Sequence, residues 1–325
     1  MRAWTVKEFG PFREHLELLE VPEPVPDKYS ALVRVRAAGV NFPDLLVIEG
    51  GYQVRPSLPF TPGFEAIGHV VQVGTECVGV SVGDRVVCWA GIGAFQQYLS
   101  VQASSMFHVP QSMSDAEGAA FLVSYQTAYF ALVHRAKIAT GEVLLVHGGA
   151  GALGTAAIQI GKALGAIVIA TASNSEKAAI CRDLGADHSM NCSTVDFVEE
   201  VKTITKGRGA DVIIDPIGGE FFDRSLKSIA WEGRLVPIGF TSGIIPSIGA
   251  NRVLLKNISI VGLFWSTYLT HNPLITQAAQ EKLNSLYEQG LIRPRVGEIF
   301  KMDELPLALA AIEERRTSGK NVIVM

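Results

Sequence analysis

The chain has 325 residues with a formal net charge of −4, and 48% of them are hydrophobic while 18% are charged. This composition predicts a soluble globular protein with room for two domains. No apolar run approaches the roughly 20 residues of a membrane span, and the first residues lack the apolar segment of a secretory signal. A mildly acidic chain without a basic run also argues against nucleic-acid binding as the main role.

The four cysteines are scattered along the chain, without a C-x-x-C pair and without the spacing of a disulfide framework. They are Cys77, Cys88, Cys181 and Cys192. This pattern predicts reduced thiols in a cytoplasmic protein.

Residues 1 to about 120 are predicted to form a β-rich domain. The segment 31–37 alternates with period two, which places Val33 and Val35 on one face of a strand and the neighbouring arginines on the other. Further strands are expected within 66–73, 82–87 and 95–101. The proline-rich stretch 21–26 is expected to be a surface connection, and from about residue 115 the pattern becomes helical.

The middle of the chain alternates apolar strands with helices, which predicts a parallel sheet covered on both faces. Six strands are what a full doubly wound dinucleotide-binding sheet requires. The candidate strands are 142–147, 166–171, 187–190, 211–215, 234–239 and 258–263, and helical patterns include 176–184, 197–205 and 221–228. Further on come helices at 273–289 and 305–315 and a strand near 294–300. A last strand at 321–324 could rejoin the N-terminal sheet, which would make the second domain an insertion in the first.

A glycine-rich turn joins the first of these strands to a helix. Gly149, Gly151 and Gly154 have the G-x-G-x-x-G spacing that a dinucleotide pyrophosphate needs. The first glycine is expected to allow the tight turn and the second to let the backbone approach the phosphates. The third is expected to let the helix pack close to the strand, so that its N-terminal amides face the anion. The alternative is a glycine-rich turn without a ligand.

The residue that ends the second strand indicates which dinucleotide binds. NAD-specific sites place an acid there to hold the ribose 2′-hydroxyl, and here Ala172 stands at that position. The missing carboxylate leaves room for a 2′-phosphate, to which Ser173 can donate a hydrogen bond and Lys177 a charge. NADPH is therefore predicted over NADH. The alternative interpretation of Lys177 is a solvated lysine on the next helix.

The chain resembles the zinc-independent medium-chain dehydrogenases/reductases of the quinone oxidoreductase (zeta-crystallin-like) family over essentially its whole length. The resemblance is carried by the glycine turn and by four segments, 37–44, 58–65, 83–86 and 318–322. It implies an α/β protein with a GroES-like β-rich domain, a Rossmann doubly wound parallel six-stranded sheet, and a cleft between them for NADPH. The expected domains are 1–122 with 266–325 for catalysis and substrate, and 123–265 for NADPH.

The resemblance also implies that no metal is bound. Zinc-dependent relatives carry a cysteine where Asn41 stands and a histidine where Phe64 stands, and these two residues provide no zinc ligand. His69 is interpreted as a packing histidine. Without a metal to polarise a carbonyl, reduction of an already electrophilic acceptor is favoured over alcohol oxidation.

By this resemblance, the candidate catalytic residues are Asn41 and Tyr52, and both are also expected to contact the cofactor. Tyr52 matches a candidate proton donor of enoyl-thioester reductases. The alternatives are a loop-capping asparagine and an ordinary loop tyrosine. Asp44 is expected to be structural, because a proton-donating acid there would need a strongly raised pKa. The other predicted cofactor contacts are Thr127, Gly149, Ala150, Gly151, Ala152, Leu153, Gly154, Ser173, Lys177, Cys192, Phe240, Ser242, Phe264, Trp265 and Lys320. At Cys192 several relatives have an aromatic residue, and the thiol here is a departure from them.

The expected function is NADPH-dependent hydride transfer to quinones or α,β-unsaturated carbonyls, in the manner of NADPH:quinone oxidoreductases. The alternative is an enoyl-thioester reductase of the enoyl-CoA type, and a less favoured one is a non-enzymatic NADPH-binding or RNA-binding protein. The expected partner is a small-molecule substrate rather than a membrane. A homodimer is expected from the family, and the apolar run 258–265 is either a shared sheet edge or ordinary core.

Overall fold

The computed structural model describes residues 1–325. The strands are β1 (Arg2–Val6), β2 (Leu16–Glu20), β3 (Ser30–Gly39), β4 (Glu65–Val73), β5 (Arg85–Trp89), β6 (Tyr98–Gln102), β7 (Met106–His108), β8 (Val143–Val146), β9 (Ile167–Ala172), β10 (His188–Asn191), β11 (Ala210–Asp215), β12 (Ile229–Pro237), β13 (Ser259–Ile260), β14 (Val296–Lys301) and β15 (Lys320–Val324). The α-helices are α1 (Phe12–His15), α2 (Phe42–Ile48), α3 (Asp115–Ala119), α4 (Leu122–Tyr129), α5 (Ala152–Ala163), α6 (Ser175–Asp183), α7 (Phe197–Ile204), α8 (Gly219–Ser228), α9 (Ala250–Lys256), α10 (Tyr268–His271), α11 (Pro273–Glu288) and α12 (Leu305–Glu313). None of these helices combines the length and the apolar character that crossing a membrane requires.

The chain packs into two compact units. The first contains Met1–Val123, His271–Gln280 and Pro294–Met325, and the second contains Ser124–Thr270 and Glu281–Arg293. Residues 266–270 and 281–293 thus pack with the second unit, whereas the sequence placed everything after 265 with the first. At the end of the latter segment, the backbone N–H of Arg293 donates to Gln159 Oε1 at 2.6 Å. The catalytic and cofactor roles predicted for the two ranges stay predictions.

The first unit is built on an antiparallel sheet. Its strands are ordered β14-β15-β3-β4-β5-β7, β6 also pairs with β3, and β1 and β2 form a separate pair. In β3 the side chains of Val33 and Val35 are buried while Arg34 and Arg36 are exposed, so the alternation read from the sequence is confirmed. The C-terminal strand β15 pairs antiparallel with β3, with Ile323 opposite Ala38. The prediction that this strand rejoins the N-terminal sheet is therefore confirmed.

The second unit contains six parallel strands in the order β10-β9-β8-β11-β12-β13. This is the strand order of a doubly wound dinucleotide-binding sheet. From β8 the chain first adds strands on one side and then, starting with β11, on the other, so the switch point of the sheet lies between β8 and β11. All four residues of β8 are buried, as expected for a central strand. The carboxyl ends of the strands lie at one edge of the sheet, which is where open α/β sheets bind ligands.

The sixth strand is shorter than predicted. The sequence indicated 258–263, but β13 contains only Ser259 and Ile260 and pairs with β12 alone. A further backbone bond to β12 runs from Val261 N to Leu235 O at 2.9 Å. The carbonyl of Gly262 accepts from Arg135 Nε at 3.1 Å and so has its partner outside the sheet.

Candidate functional site

The turn between β8 and α5 is held together by close backbone packing. A Cβ at Gly154 would lie 2.3 Å from Gly148 O and 2.6 Å from Gly149 Cα, distances that no side chain can occupy. Since the obstacle is backbone, nothing nearby can move aside. The close approach of helix and turn predicted for the third glycine is therefore present.

The other two glycines of the motif serve different purposes. The positive φ of the turn, 61°, falls on Gly148, so the tight-turn role predicted for Gly149 belongs to its neighbour. Gly149 is needed for packing, since a Cβ there would lie 2.8 Å from Cys181 Sγ. At Gly151, the N-cap of α5, a Cβ would meet only Gly148 O at 3.3 Å, so this side of the turn is open.

The open side of the turn presents the first amides of α5. Helical geometry leaves the N–H groups of Ala152, Leu153 and Gly154 without partners inside the helix, and the helix dipole adds positive potential there. Ala150 is buried within the turn at 2% exposure, so its contribution to a ligand is limited to backbone. The arrangement suits a dianionic pyrophosphate.

The loops after β9 and β10 lie side by side at the carboxyl edge of the sheet. Ala172 ends β9, and Cys192 N donates to its carbonyl at 2.9 Å. Ser173 is exposed, and Asn174 Oδ1 accepts from Lys177 N at 2.8 Å and so starts α6. Ser173, Lys177 and Cys192 therefore occur on adjoining loops, with no carboxylate at the strand end.

Partial burial affects both titratable groups of these loops. It lowers the pKa of the half-buried Lys177 ammonium, with the nearby Glu176 carboxylate opposing the shift. The electrostatic attraction between a phosphate and this ammonium would therefore be stronger than that between a phosphate and a fully hydrated lysine. Burial likewise raises the pKa of the Cys192 thiol, which is then neutral at physiological pH.

A buried polar cluster in the first unit surrounds Asn41. Lys320 Nζ lies 2.6 Å from Glu65 Oε1, and these side chains are only 2% and 1% exposed. The ammonium also donates to Asn41 Oδ1, while Asn41 Nδ2 donates to Glu65 Oε1 at 3.1 Å and to Gly39 O at 3.3 Å. The second oxygen of Glu65 accepts from Val123 N at 2.8 Å. We call Asn41, Glu65 and Lys320 the Asn41 cluster.

The Asn41 cluster restricts what Asn41 can do. Both hydrogens of its amide are used inside the protein, so the side chain has only a lone pair of Oδ1 left for a ligand. Lys320, which the sequence analysis expected to close the cofactor site, is a buried partner of Asn41 and Glu65 in the first unit. The roles of Asn41 and Lys320 toward a cofactor remain predictions.

Asp44 lies beside this cluster in the first turn of α2. Its Oδ2 accepts from Asn41 N at 2.7 Å, while its Oδ1 is buried without a hydrogen-bond partner. Complete burial raises the pKa of Asp44 to about 8, and the Glu65 carboxylate adds to this, whereas the Asn41 amide and the Lys320 charge oppose it. The strongly raised pKa that a proton-donating acid would need is thus present at Asp44.

We expect Asp44→Asn to flatten the pH dependence of stability. Between pH 4 and pH 8 native Asp44 holds a proton that the unfolded chain has lost, so this group makes the free energy of unfolding fall as pH rises. The slope is about 1.4 kcal/mol per pH unit at most. Urea denaturation across this range checks it. Asp84→Asn is the control, since Asp84 Oδ2 accepts from Ser81 N at 2.8 Å in the same spacing but at the surface; equal slopes in all three proteins would contradict the assignment.

Aromatic side chains fill the space near these residues in the first unit. The ring of Phe64 stacks on Trp89 at 5.2 Å between centroids, and Tyr52 meets Phe64 edge-on at 5.6 Å. Burial raises the pKa of the Tyr52 phenol, and the Asp44 charge adds to the shift. Phe64 is therefore a packing residue. In the whole chain, no group of three or more His, Cys, Asp or Glu side chains lies close enough together to hold a metal ion.

The remaining predicted contacts are distributed over the second unit. Ser242 Oγ accepts from Ile244 N at 3.2 Å, so its hydroxyl shapes the loop after β12, where Phe240 is half-buried. Phe264 is 44% exposed, whereas Trp265 is 4% exposed and its indole N–H donates to Gln126 Oε1 at 3.2 Å. Phe264 is therefore the more accessible of the two aromatic residues.

Thr127 lies half-buried on α4, next to Gln126, and its predicted contact with the nicotinamide side of the cofactor stays a prediction. The sequence analysis did not single out Gln126 or Glu65, nor His147, which precedes the glycine turn. The motif 58–65 contained Glu65, but its pairing with a lysine 255 positions later is a tertiary contact that no local pattern encodes.

Comparison with known protein families matches both units. Residues 27–111 match the alcohol dehydrogenase GroES-like domain, and residues 152–280 match the zinc-binding dehydrogenase family. The first match agrees with the GroES-like architecture predicted for the β-rich domain.

Among curated proteins, the chain is 39% identical over 301 residues to quinone oxidoreductase-like protein 2 of Bos taurus, covering 92% of this chain and 86% of that one. Among solved structures, Thermus thermophilus quinone oxidoreductase is 34% identical with a TM-score of 0.86, and all of both chains is covered. Escherichia coli quinone oxidoreductase, solved in complex with NADPH, is 28% identical with a TM-score of 0.93 and also full coverage. The chain therefore belongs to the quinone oxidoreductase family of the medium-chain dehydrogenases/reductases.

Proposed function

We propose that this protein is an NADPH-dependent oxidoreductase that transfers hydride to quinones or α,β-unsaturated carbonyls. The observation that carries the proposal is the pairing of an open glycine turn with a neighbouring strand that ends in Ala172 and is followed by Ser173 and Lys177. The turn fits a pyrophosphate and the loop fits a 2′-phosphate, which together define NADPH. The NADPH complex of the Escherichia coli relative supports the same cofactor.

The choice of acceptor follows from the residues of the first unit. When bound, the nicotinamide of NADPH supplies the hydride. Asn41 and Phe64 offer neither thiolate nor imidazole, so this chain's own residues favour an acceptor that is already electrophilic. Quinones and activated alkenes meet that requirement, and the quinone oxidoreductases among the relatives support it.

The test is NADPH oxidation by the purified protein with benzoquinone, a 2-alkenal and crotonyl-CoA offered in parallel, and NADH as the control cofactor. We expect turnover on the quinone or the alkenal, with NADPH well ahead of NADH. Binding of NADPH without turnover on any of the three acceptors would overturn the proposed reaction and leave the cofactor site standing.

A second candidate is reduction of an enoyl thioester, and one observation favours it. Tyr52 is half-buried and packs edge-on against Phe64, and its phenol carries the kind of proton that a donor to the reduced substrate must give. If this candidate is correct, Tyr52→Phe should lower turnover of crotonyl-CoA at saturating NADPH by about a hundredfold. Tyr29→Phe is the control, since Tyr29 is 47% exposed. Equal crotonyl-CoA rates in the wild type and Tyr52→Phe would remove Tyr52 as a donor.

Four further predictions belong to this proposal. A small molecule is expected as the substrate, the protein is expected in the cytoplasm as a homodimer, and nucleic acid is not an expected partner. Salt-dependent retention of RNA without turnover would instead favour the non-enzymatic alternative.

A further inference from the structure

A fully buried histidine joins three elements of the second unit. His147 follows β8 directly, precedes the glycine turn, and is 0% exposed. Its Nδ1 lies 3.0 Å from Thr171 Oγ1 on β9, and its Nε2 lies 2.8 Å from Ser225 Oγ on α8. Both ring nitrogens thus have partners, and each partner is a hydroxyl that can donate or accept.

The direction of each hydrogen bond follows from the one that Ser225 makes on its other side. Ser225 Oγ donates its only proton to the carbonyl of Phe221 at 2.7 Å, and a carbonyl can only accept. The Ser225 oxygen must therefore accept from His147 Nε2–H. In a neutral imidazole this makes Nδ1 the acceptor, so Thr171 donates its proton to it.

The surroundings keep the imidazole neutral. Burial lowers the pKa of His147 to about 3, and the Arg224 charge lowers it further. The rings of Phe197 and Phe221 lie against it at 4.9 and 5.2 Å between centroids. The charged groups around it are Arg224 and the Asp196 carboxylate, which pairs with Arg224 at 2.7 Å.

At the other end of this series of hydrogen bonds, Thr171 lies next to the loops after β9 and β10. Thr171 precedes Ala172 and Ser173, and the Ala172 carbonyl accepts from Cys192 N at 2.9 Å, which joins the two loops. An ordered series of hydrogen bonds therefore runs from Thr171, next to this backbone bond, through His147 and Ser225 to the Phe221 carbonyl. We call the side chains of Thr171, His147 and Ser225 the His147 network.

We propose that the His147 network is a positioning device that fixes the loops after β9 and β10 at the spacing needed to hold the 2′-phosphate of NADPH. The inference rests on the proposed function, because the 2′-phosphate is what distinguishes NADPH from NADH. The backbone bond from Cys192 N to Ala172 O joins the two loops one residue away from Thr171, so the position of Thr171 fixes both loops. His147, Thr171 and Ser225 act on the cofactor through the loops and do not touch it.

The experiment compares the dissociation constants of NADPH and NADH in two variants, Thr171→Val and Ser225→Ala. The valine has the shape of threonine without its hydroxyl, so it breaks the network with little change in packing. We expect NADPH to bind about tenfold more weakly in Thr171→Val, as for other outer partners of a ligand site, with NADH nearly unchanged. Thr171→Ser should restore NADPH binding. Ser228→Ala is the matched control, since Ser228 is 1% exposed on the same helix and its hydroxyl donates to the backbone carbonyl of Ser225, not to a side chain of the network.

A merely structural role would give a different pattern. Lowered stability with an unchanged ratio of the two dissociation constants would overturn the inference, and so would equal losses for NADPH and NADH. A wild type without affinity for NADPH would overturn the proposed function as well. Nitrogen-15 NMR of His147 provides an independent check. One neutral Nε2–H tautomer between pH 5 and pH 9 is expected, and an Nδ1–H tautomer would contradict the assigned direction.

Discussion

Replacing Lys320 by methionine is expected to destabilise the protein by about 3–5 kcal/mol, as removal of one partner from a buried ion pair does. The ammonium is 2% exposed and is shared between Glu65 and Asn41, so its loss leaves the Glu65 carboxylate buried without a cation. The raised pKa of Asp44 would rise further, because the Lys320 charge opposes the shift. Urea denaturation followed by tryptophan fluorescence measures the effect.

Two further variants separate the buried pair from the loss of any lysine. Lys28→Met removes an ammonium that lies 2.9 Å from Glu76 in a half-exposed pair, and we expect the denaturation midpoint to stay at the wild-type value. Lys320→Arg keeps the charge and should recover part of the stability, although the larger group must fit the same buried space. A midpoint for Lys320→Met equal to that of the wild type would show that the Asn41 cluster does not hold the first unit together.

Alanine at Gly151 and alanine at Gly154 are expected to have opposite consequences. At Gly154 the added Cβ would lie 2.3 Å from a backbone oxygen, so the turn must open and the fold lose several kcal/mol, roughly 3 or more. At Gly151 the Cβ meets one atom at 3.3 Å, so the fold is kept, but the methyl occupies the side where the pyrophosphate approaches. We expect about a hundredfold loss of NADPH affinity in Gly151→Ala.

The two glycine variants are compared by thermal denaturation and by NADPH titration. Gly243→Ala, at a glycine of φ 81° with open space around it, reports the cost of backbone strain alone. If Gly151→Ala bound NADPH as tightly as the wild type, the pyrophosphate would not lie over this turn. The cofactor part of the proposed function would then fail.

The fold was readable where local patterns decide it. Strands β3 and β8 were predicted from the alternation of β3 and the apolar run of β8, because the hydrophobic pattern of each segment matches the burial of its residues. β1 and β2 were missed because their pairing, Trp4 opposite Leu18, is a tertiary contact between short segments of mixed polarity. The edge strand β13 was overestimated, since an apolar run does not reveal that only one neighbour is present.

The candidate site was readable in part, for a related reason. The spacing of Gly151 and Gly154 predicts the turn because Gly154 allows its close approach to Gly148 and Gly149, while Gly151 leaves the turn open on the side where a ligand would bind. Asn41 was found by resemblance, but its bond to Lys320, 279 residues further along the chain, exists only once the sheet has closed. The His147 network was likewise invisible, because Thr171 and Ser225 reach the imidazole from separate elements.

The most direct test of the central claim is hydride transfer from NADPH deuterated at nicotinamide C4, labelled in turn on each face, to a 2-alkenal and to benzoquinone. For each acceptor that the protein reduces, the account predicts that deuterium slows NADPH oxidation when it is on one particular face of the nicotinamide and not when it is on the other. If the alkenal is reduced, its β-carbon is predicted to acquire the deuterium. Acceptor-dependent oxidation with no isotope effect in single turnover from either face, or no oxidation by protein that binds NADPH, would contradict it.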